Sequence, residues 1–126
     1  MALDDAVDAV FAADGALARS LPAFEPRDSQ RRMAAAVAGT LDEGGVLLAE
    51  AGTGTGKTLA YLVPAILSGQ RVLVSTGTKN LQEQIVNKDL PIVAQAIGDS
   101  FTATVMVRIG TAIFGERPQA GGTETV

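Results

Sequence analysis

The sequence predicts an α/β fold in which a parallel sheet of about three strands is flanked by helices. Three short segments predict the strands: an apolar run at 46–49, a run rich in β-branched residues at 71–76 and an alternating segment at 102–107. Segments of helical length separate the runs, and a glycine-rich loop follows the first of them. Strands that alternate with helices form right-handed βαβ units, which make the sheet parallel.

Residues 1–23 are predicted to form one amphipathic helix followed by an extended linker. Its apolar residues recur at helical spacing up to Pro22, namely Leu3, Val7, Val10, Phe11 and Leu17. A second helix is expected from Asp28 or Ser29, either of which would cap it. We expect its buried face to consist of Met33, Val37 and Leu41, and Gly44 to end it.

Two further helices are expected after the glycine-rich loop. The first runs to about Ser68, and the second runs from about Thr78 to Asn87, is interrupted at Pro91 and resumes over 92–97. From Gly110 onward no periodicity remains, which predicts a mobile, disordered tail. The expected organisation is an N-terminal helix and linker (1–23), a partial domain (24–109) and an irregular tail (110–126).

Composition narrows the class of protein. The chain has 126 residues, of which 47% are hydrophobic, so we expect one domain with a packed core. Its net charge of −4 argues against non-specific electrostatic wrapping of nucleic acid. Cysteine is absent, which excludes a disulfide, a cysteine zinc site and an iron–sulfur cluster in these residues. No membrane span or secretory leader is visible, and the cytoplasm is the expected location.

Residues 51–58 form the most informative motif, a phosphate-binding P-loop between a predicted strand and a predicted helix. Its glycines allow positive φ, so that backbone N–H groups can turn towards a phosphate. Lys57 would reach the β- and γ-phosphates of a nucleotide, and the Thr58 hydroxyl would ligate Mg²⁺. Ala51 stands where the strict pattern has glycine, and a ligand-free turn is the alternative. The predicted nucleotide-binding residues are Gly52, Thr53, Gly54, Thr55, Gly56, Lys57 and Thr58.

Two more segments add to this motif. Gln30 precedes the loop and carries an amide that matches the N6/N7 edge of adenine, while Arg27 could stack on the base. Hydroxyls, an amide and new helix N–H groups follow the second predicted strand at 75–84, and they suit a phosphate backbone. Asn80 and Glu83 also have the spacing of a capping box, so simple helix initiation remains an equal alternative.

The three segments together resemble the DinG/YoaA-type DNA helicases, superfamily 2 enzymes related to the XPD group. The resemblance covers about residues 11–106 and rests on 24–30, 50–61, 75–84 and 88–91. It implies a RecA-like domain and an enzyme that uses ATP hydrolysis to move along single-stranded DNA and open duplexes.

The resemblance also implies roles for single residues. Arg27 and Gln30 fall in the adenine-reading Q motif. Lys57 and Thr58 fall in motif I and take the catalytic phosphate and Mg²⁺ roles. The third motif, which contacts single-stranded DNA, contains Thr76, Thr78 and Asn80.

The family pattern stops after Met106. No Asp-Glu pair follows an apolar strand, and the second motor domain with its arginine finger has no counterpart in the sequence. We expect the ATP-binding N-terminal part of a first motor domain, ended by truncation or a frameshift near residue 107, with very little turnover by itself. The alternative is a remnant that binds nucleotide without turnover. A separate polypeptide carrying the rest of the helicase is a possible partner. A small P-loop kinase is a weaker alternative, since Arg108 and Arg117 are its only late arginines.

Overall fold

The structure, a computed structural model, describes residues 2–52, 56–98, 104–109 and 123–125. Six helices and three strands lie in the described residues. Along the chain they are α1 (Leu3–Phe11), α2 (Ala16–Ser20), α3 (Asp28–Glu43), α4 (Lys57–Leu67), β1 (Arg71–Thr76), α5 (Lys79–Gln84), α6 (Leu90–Ile97), β2 (Thr104–Ile109) and β3 (Thr123–Thr125). A π-helical turn, Ile85–Asp89, joins α5 to α6. None of the described helices is long and apolar enough to cross a lipid bilayer.

The N-terminal segment contains two helices, so the prediction of a single helix is wrong. The chain turns between α1 and α2, and Gly15 caps the start of α2. A Cβ at Gly15 would overlap the carbonyl oxygens of Ala9 and Val10, so the turn needs a residue without a side chain. The periodic apolar residues still face inward, since Phe11 and Leu17 are fully buried.

Helix α3 starts at Asp28, but its N-cap residue is Arg27 and no side chain caps it. The predicted cap by Asp28 or Ser29 is therefore wrong. The most buried apolar positions are Ala34 and Ala38, while the expected Met33, Val37 and Leu41 are half-buried beside them. Small side chains in this row let α3 pack closely on α4, with which it makes extensive contact.

One apolar core joins the helices. Residues from α1 pack with residues from α3, α4 and the helical run 79–97. The helix predicted to be interrupted near Pro91 is continuous in the structure, and Pro91 lies in the first turn of α6, where proline is tolerated. The buried members of the core are Val7, Val10, Phe11, Leu17, Ala34, Ala38, Ala60, Leu62, Val63, Ile85, Leu90 and Val93.

The sheet has the order β1-β2-β3. Strands β1 and β2 are parallel, with Val72 opposite Val105, and β2 and β3 are antiparallel, with Arg108 opposite Thr123. The expected sheet of three parallel strands is thus not confirmed. Strand β3 falls in the segment 110–126 that was predicted to be an irregular tail, and the rest of that segment lies outside the described residues.

The predicted first strand is also wrong, since residues 46–50 carry no strand pairing. Val46 and Leu48 are 89% and 93% exposed. The β-branched composition of 71–76 predicts a strand buried on both faces, but the exposure of β1 alternates and Leu73 is 59% exposed. The other face is the covered one, where Val74 packs against the helical core.

Candidate functional site

A cleft of about 770 Å³ lies where three parts of the chain meet. The linker between α2 and α3 forms one wall, the first turn of α4 forms the second, and the helical run around the π turn forms the third. The lining residues are Leu21, Pro22, Ala23, Phe24, Glu25, Arg27, Gln30, Gly56, Lys57, Thr58, Leu59, Gln84, Lys88, Asp89 and Ile92. The cleft therefore contains both the segment before α3 and the end of the glycine-rich loop.

Gly56 ends the loop and begins α4. Its backbone is left-handed, with φ 74° and ψ 36°, a conformation that glycine adopts without the steric cost of a side chain. The prediction that a helix starts near Gly56 is confirmed, because α4 begins at Lys57. The first turn of α4 thus presents unpaired backbone N–H groups and the positive end of the helix dipole to the cleft.

Lys57 and Thr58 stand at this helix start. Lys57 is exposed and makes no ion pair with any described residue. Thr58 is half-buried, and its side chain lies beside that of Tyr61. Burial raises the pKa of Tyr61, and the Thr58 contact lowers it by a smaller amount.

Gln30 is joined directly to the loop. Its Nε2 donates a hydrogen bond to the carbonyl oxygen of Gly56 at 3.2 Å. The side chain is buried, and a Cβ on Gly56 would overlap its Nε2. Its Oε1 has no hydrogen-bond partner in the described part of the chain. The structure thus brings together two motifs separated by 26 positions and leaves one buried acceptor available at the cleft.

Asp89 was not identified by the sequence analysis. It belongs to the π turn, lines the cleft and is 7% exposed, and its Oδ2 has no partner among the described residues. Burial raises the pKa of the Asp89 carboxyl, while the charge of Lys88 lowers it. The available signal was an acidic residue directly before the apolar stretch 90–93 of a helix.

The remaining predicted residues of the nucleotide site differ in how the structure places them. Arg27 is exposed, caps α3 and lines the cleft. Gly52 lies in an irregular segment before the loop and makes its own interaction there. Thr53, Gly54 and Thr55 lie outside the described residues.

Thr76, Thr78 and Asn80 form a separate group at the carboxyl end of β1, and none of them lines the cleft. The Thr76 hydroxyl donates to the Thr78 carbonyl at 3.0 Å, and the Thr78 hydroxyl accepts from the Leu81 amide at 3.2 Å. Thr78 is therefore the N-cap of α5. The capping box predicted for Asn80 and Glu83 is wrong, although helix initiation at this place is correct.

The described residues fit an adenine nucleotide at this cleft. A left-handed glycine, a free lysine and a helix start suit the phosphates, and the unpaired Gln30 oxygen suits a donor on the base. Thr58 carries a hydroxyl of the kind that can ligate Mg²⁺. Within the described part of the chain, no cluster of three acidic, histidine or cysteine residues supplies further metal ligands.

Comparison with known proteins identifies a family. The profile of the DEAD/DEAH box helicase family matches residues 28–112. The ATP-dependent DNA helicase YoaA of Escherichia coli K12 is 52% identical over 87 residues, which are 69% of this chain and 14% of that protein. YoaA of Haemophilus influenzae is 43% identical over 103 residues, with 82% of this chain and 16% of that protein covered.

A second named relative is the ATP-dependent DNA helicase DinG of Escherichia coli K12. It is 47% identical over 111 residues, which cover 82% of this chain and 16% of that protein. The chain thus spans about one sixth of the length of these relatives. These matches give no support to the alternative of a small P-loop kinase. The family implies a RecA-like fold, and the resemblance noted from the motifs is confirmed: the chain belongs to the DEAD/DEAH box helicase family and matches the N-terminal part of DinG- and YoaA-type DNA helicases.

Proposed function

We propose that this chain binds ATP with Mg²⁺ in the cleft between the α2–α3 linker and the start of α4. Lys57 and the first-turn amides of α4 hold the β- and γ-phosphates, and Thr58 is a ligand of Mg²⁺. The metal neutralises phosphate charge when it is bound. Gln30 and Arg27 contact the adenine. Gly52, Thr53, Gly54, Thr55 and Gly56 complete the loop around the phosphates.

The hydrogen bond from Gln30 to Gly56 carries this proposal. It supports the proposal because it joins Gln30 to Gly56 at one cleft, although the two residues are 26 positions apart in sequence. A simple structural turn does not require a buried glutamine with an unpaired oxygen. A nucleotide that spans the two groups would satisfy that oxygen and the free lysine together.

Isothermal titration calorimetry with ATP and Mg²⁺ tests this function. We expect the 126-residue chain to bind, and Lys57→Ala to weaken binding at least tenfold, as loss of a charge-assisted contact of about 1.5–3 kcal/mol requires. Lys79→Ala is the matched control, because Lys79 is an exposed lysine near the start of another helix and does not line the cleft. Equal binding by the Lys57 and Lys79 variants would refute the phosphate role.

We further propose that Thr76, Thr78 and Asn80 contact the backbone of single-stranded DNA, as in the motif that they match. Asn80 is the most informative of them, because its side chain is exposed and makes no hydrogen bond with a described residue, whereas the two threonines hold the helix start. Fluorescence anisotropy with a labelled oligonucleotide should show weaker binding for Asn80→Ala. Unchanged affinity across the salt range would count against this surface.

Hydrolysis is a separate question from binding. The DinG and YoaA relatives are ATP-dependent DNA helicases, and we propose that this chain supplies the ATP-binding part of such an activity. The one Asp-Glu pair of the sequence, Asp42-Glu43, ends helix α3, so we propose nucleotide binding without turnover by these residues alone. A phosphate-release assay with and without single-stranded DNA tests this, and DNA-stimulated release would contradict it.

A further inference from the structure

Two side chains in the cleft share an unusual feature, because each is polar, buried and incompletely paired. Gln30 is 5% exposed and Asp89 is 7% exposed. The Oε1 atom of Gln30 and the Oδ2 atom of Asp89 have no hydrogen-bond partner in the described part of the chain. Both residues line the cleft that contains the start of α4. Buried polar atoms are nearly always paired, so two unpaired acceptors in one cleft indicate a missing donor.

The backbone holds Asp89 in this place. The π turn widens the helix at 85–89, and Ile85 and Leu90 on either side are buried in the core. Single π turns within helices occur frequently at functional sites. The π turn contacts α4, and the charge of Asp89 adds to the burial that raises the pKa of Tyr61 in that helix. Asp89 is thus fixed by packing on both sides rather than free to turn into solvent.

None of the described neighbours of Asp89 forms a hydrogen bond with its Oδ2 atom. Lys88, the residue before Asp89, is exposed and forms no ion pair with it. The Oε1 atom of Gln30 also needs a hydrogen-bond donor, and the Nε2 atom of the same side chain already donates to the Gly56 carbonyl. A ligand that satisfies both atoms must present N–H donors on a body that fits an open, partly apolar cleft. The exocyclic amine of adenine presents two such donors, whereas guanine presents an oxygen at that position.

We propose that Asp89 is a base-selecting residue of this cleft, which accepts a hydrogen bond from the exocyclic amine of adenine alongside the amide oxygen of Gln30. The inference rests on the nucleotide binding proposed above and extends it to a residue outside the matched glutamine and loop motifs. A guanine oxygen at this place would meet two acceptors, one of them a carboxylate with little access to water. The site therefore rejects GTP by repulsion as well as by lost hydrogen bonds.

The experiment measures four ligands by calorimetry, each with Mg²⁺: ATP, GTP, purine riboside triphosphate (which lacks the amine) and inorganic tripolyphosphate. We expect the 126-residue chain to bind ATP about tenfold more tightly than purine riboside triphosphate, because the amine pairs with a buried charged acceptor. Asp89→Ala should reduce this ratio to about two or three. Its affinity for tripolyphosphate should not change.

Asn87→Ala is the matched control, because Asn87 belongs to the same π turn but is exposed and does not line the cleft. It should keep the full preference for ATP. If Asp89→Ala does not fold, as judged by circular dichroism, Asp89→Leu replaces it, since leucine has a similar shape and removes both acceptors. The measured quantity remains the ratio of the affinity for ATP to the affinity for purine riboside triphosphate.

The outcomes separate the two proposals. If the unmodified chain binds neither ATP nor tripolyphosphate, the proposed nucleotide site itself is wrong. If it binds every triphosphate but the ratio is the same in the Asp89 variants, nucleotide binding stands and the base-selecting role of Asp89 is overturned. A variant that weakens all four ligands equally would show a structural role only, and it would overturn the inference as well.

Discussion

Gly56 is subject to two constraints that have different physical causes. Its φ of 74° disfavours any side chain, and a Cβ would also overlap the Gln30 amide. Gly69 isolates the first constraint, since its φ is 70° and nothing lies within 4 Å of a Cβ built there.

We therefore expect Gly69→Ala to cost about 1–2 kcal/mol in the free energy of unfolding, from backbone strain alone. Gly56→Ala should cost at least about 1 kcal/mol more, because Gln30 must move or the chain must shift. Urea unfolding of both variants measures the difference. Equal losses would mean that the Gln30 contact contributes nothing to stability.

Asp89 makes stability depend on pH. Burial raises the pKa of its carboxyl above the ordinary 3.8, so the folded chain holds this proton more tightly than the unfolded chain does. Its contribution to stability is therefore greatest below pH 3.8 and is lost as the pH rises through the folded-state pKa.

Asp89→Asn removes the ionisation. Near neutral pH we expect the free energy of unfolding of the variant to exceed that of the original chain by about 1 kcal/mol, the typical cost of an unsatisfied buried group. The gain should shrink towards zero in acid. Urea unfolding at neutral pH and in acid checks this. A gain in stability that does not vary with pH would show that ionisation of Asp89 is not its cause.

Prediction at the level of single residues succeeded where a motif fixes the spacing. The sequence placed Gln30, Gly56 and Lys57 in one candidate site, and the structure does bring them to one cleft. Asp89 could not be found in this way. Its burial depends on a π turn and on packing between distant helices, and neither leaves a periodic signal in the sequence.

At the level of elements, two glycines in helical surroundings have opposite expected effects. A Cβ at Gly15 would overlap backbone carbonyl oxygens at the end of α1, whereas a Cβ at Gly39, inside α3, would meet nothing within 4 Å. We expect Gly15→Ala to lower the free energy of unfolding by about 1–3 kcal/mol. Gly39→Ala should raise it by up to about 1 kcal/mol, from the better helix propensity of alanine. Thermal unfolding followed by circular dichroism compares the two, and changes of equal sign would contradict the packing described for the α1–α2 turn.

The same contrast explains which elements were predictable. Helical periodicity identified the apolar residues of α1 and α2, because that signal is local. It missed the break at Gly15, which is caused by close backbone contact. The run 46–49 has strand composition, but a strand also requires a paired neighbour, and composition carries no information about pairing.

For the whole molecule, the exposure of residues 46–48 distinguishes the structure from the fold that composition suggested. Val46→Lys and Leu48→Lys should each change the free energy of unfolding by no more than about 0.5 kcal/mol, as is usual at exposed positions. Leu62→Ala, at a fully buried position, should cost about 2–5 kcal/mol. Losses of the same size at Val46 or Leu48 would show that this segment is buried in solution.

The fold class could be predicted because the motifs identify a family, and the family implies a RecA-like domain. The sheet could not be predicted in detail. Only β1 and β2 form the expected parallel pair, and the third strand comes from a segment without periodic signal. Pairing between distant segments is decided by the whole chain, so local pattern is a weaker guide there than it is for α3 or α4.

The N-terminal residues before Glu25 also matter for any shortened version of this chain. One wall of the cleft includes Leu21, Pro22 and Ala23. An ion pair of 2.8 Å between Arg31 and Asp8 joins α3 to α1, and Arg31 directly follows Gln30 in the sequence. An expression clone that begins at Glu25 would discard this wall and uncover the apolar side of α3. Its product should release any bound nucleotide faster and precipitate more readily, even though Arg27, Gln30 and the loop 51–58 would still be present.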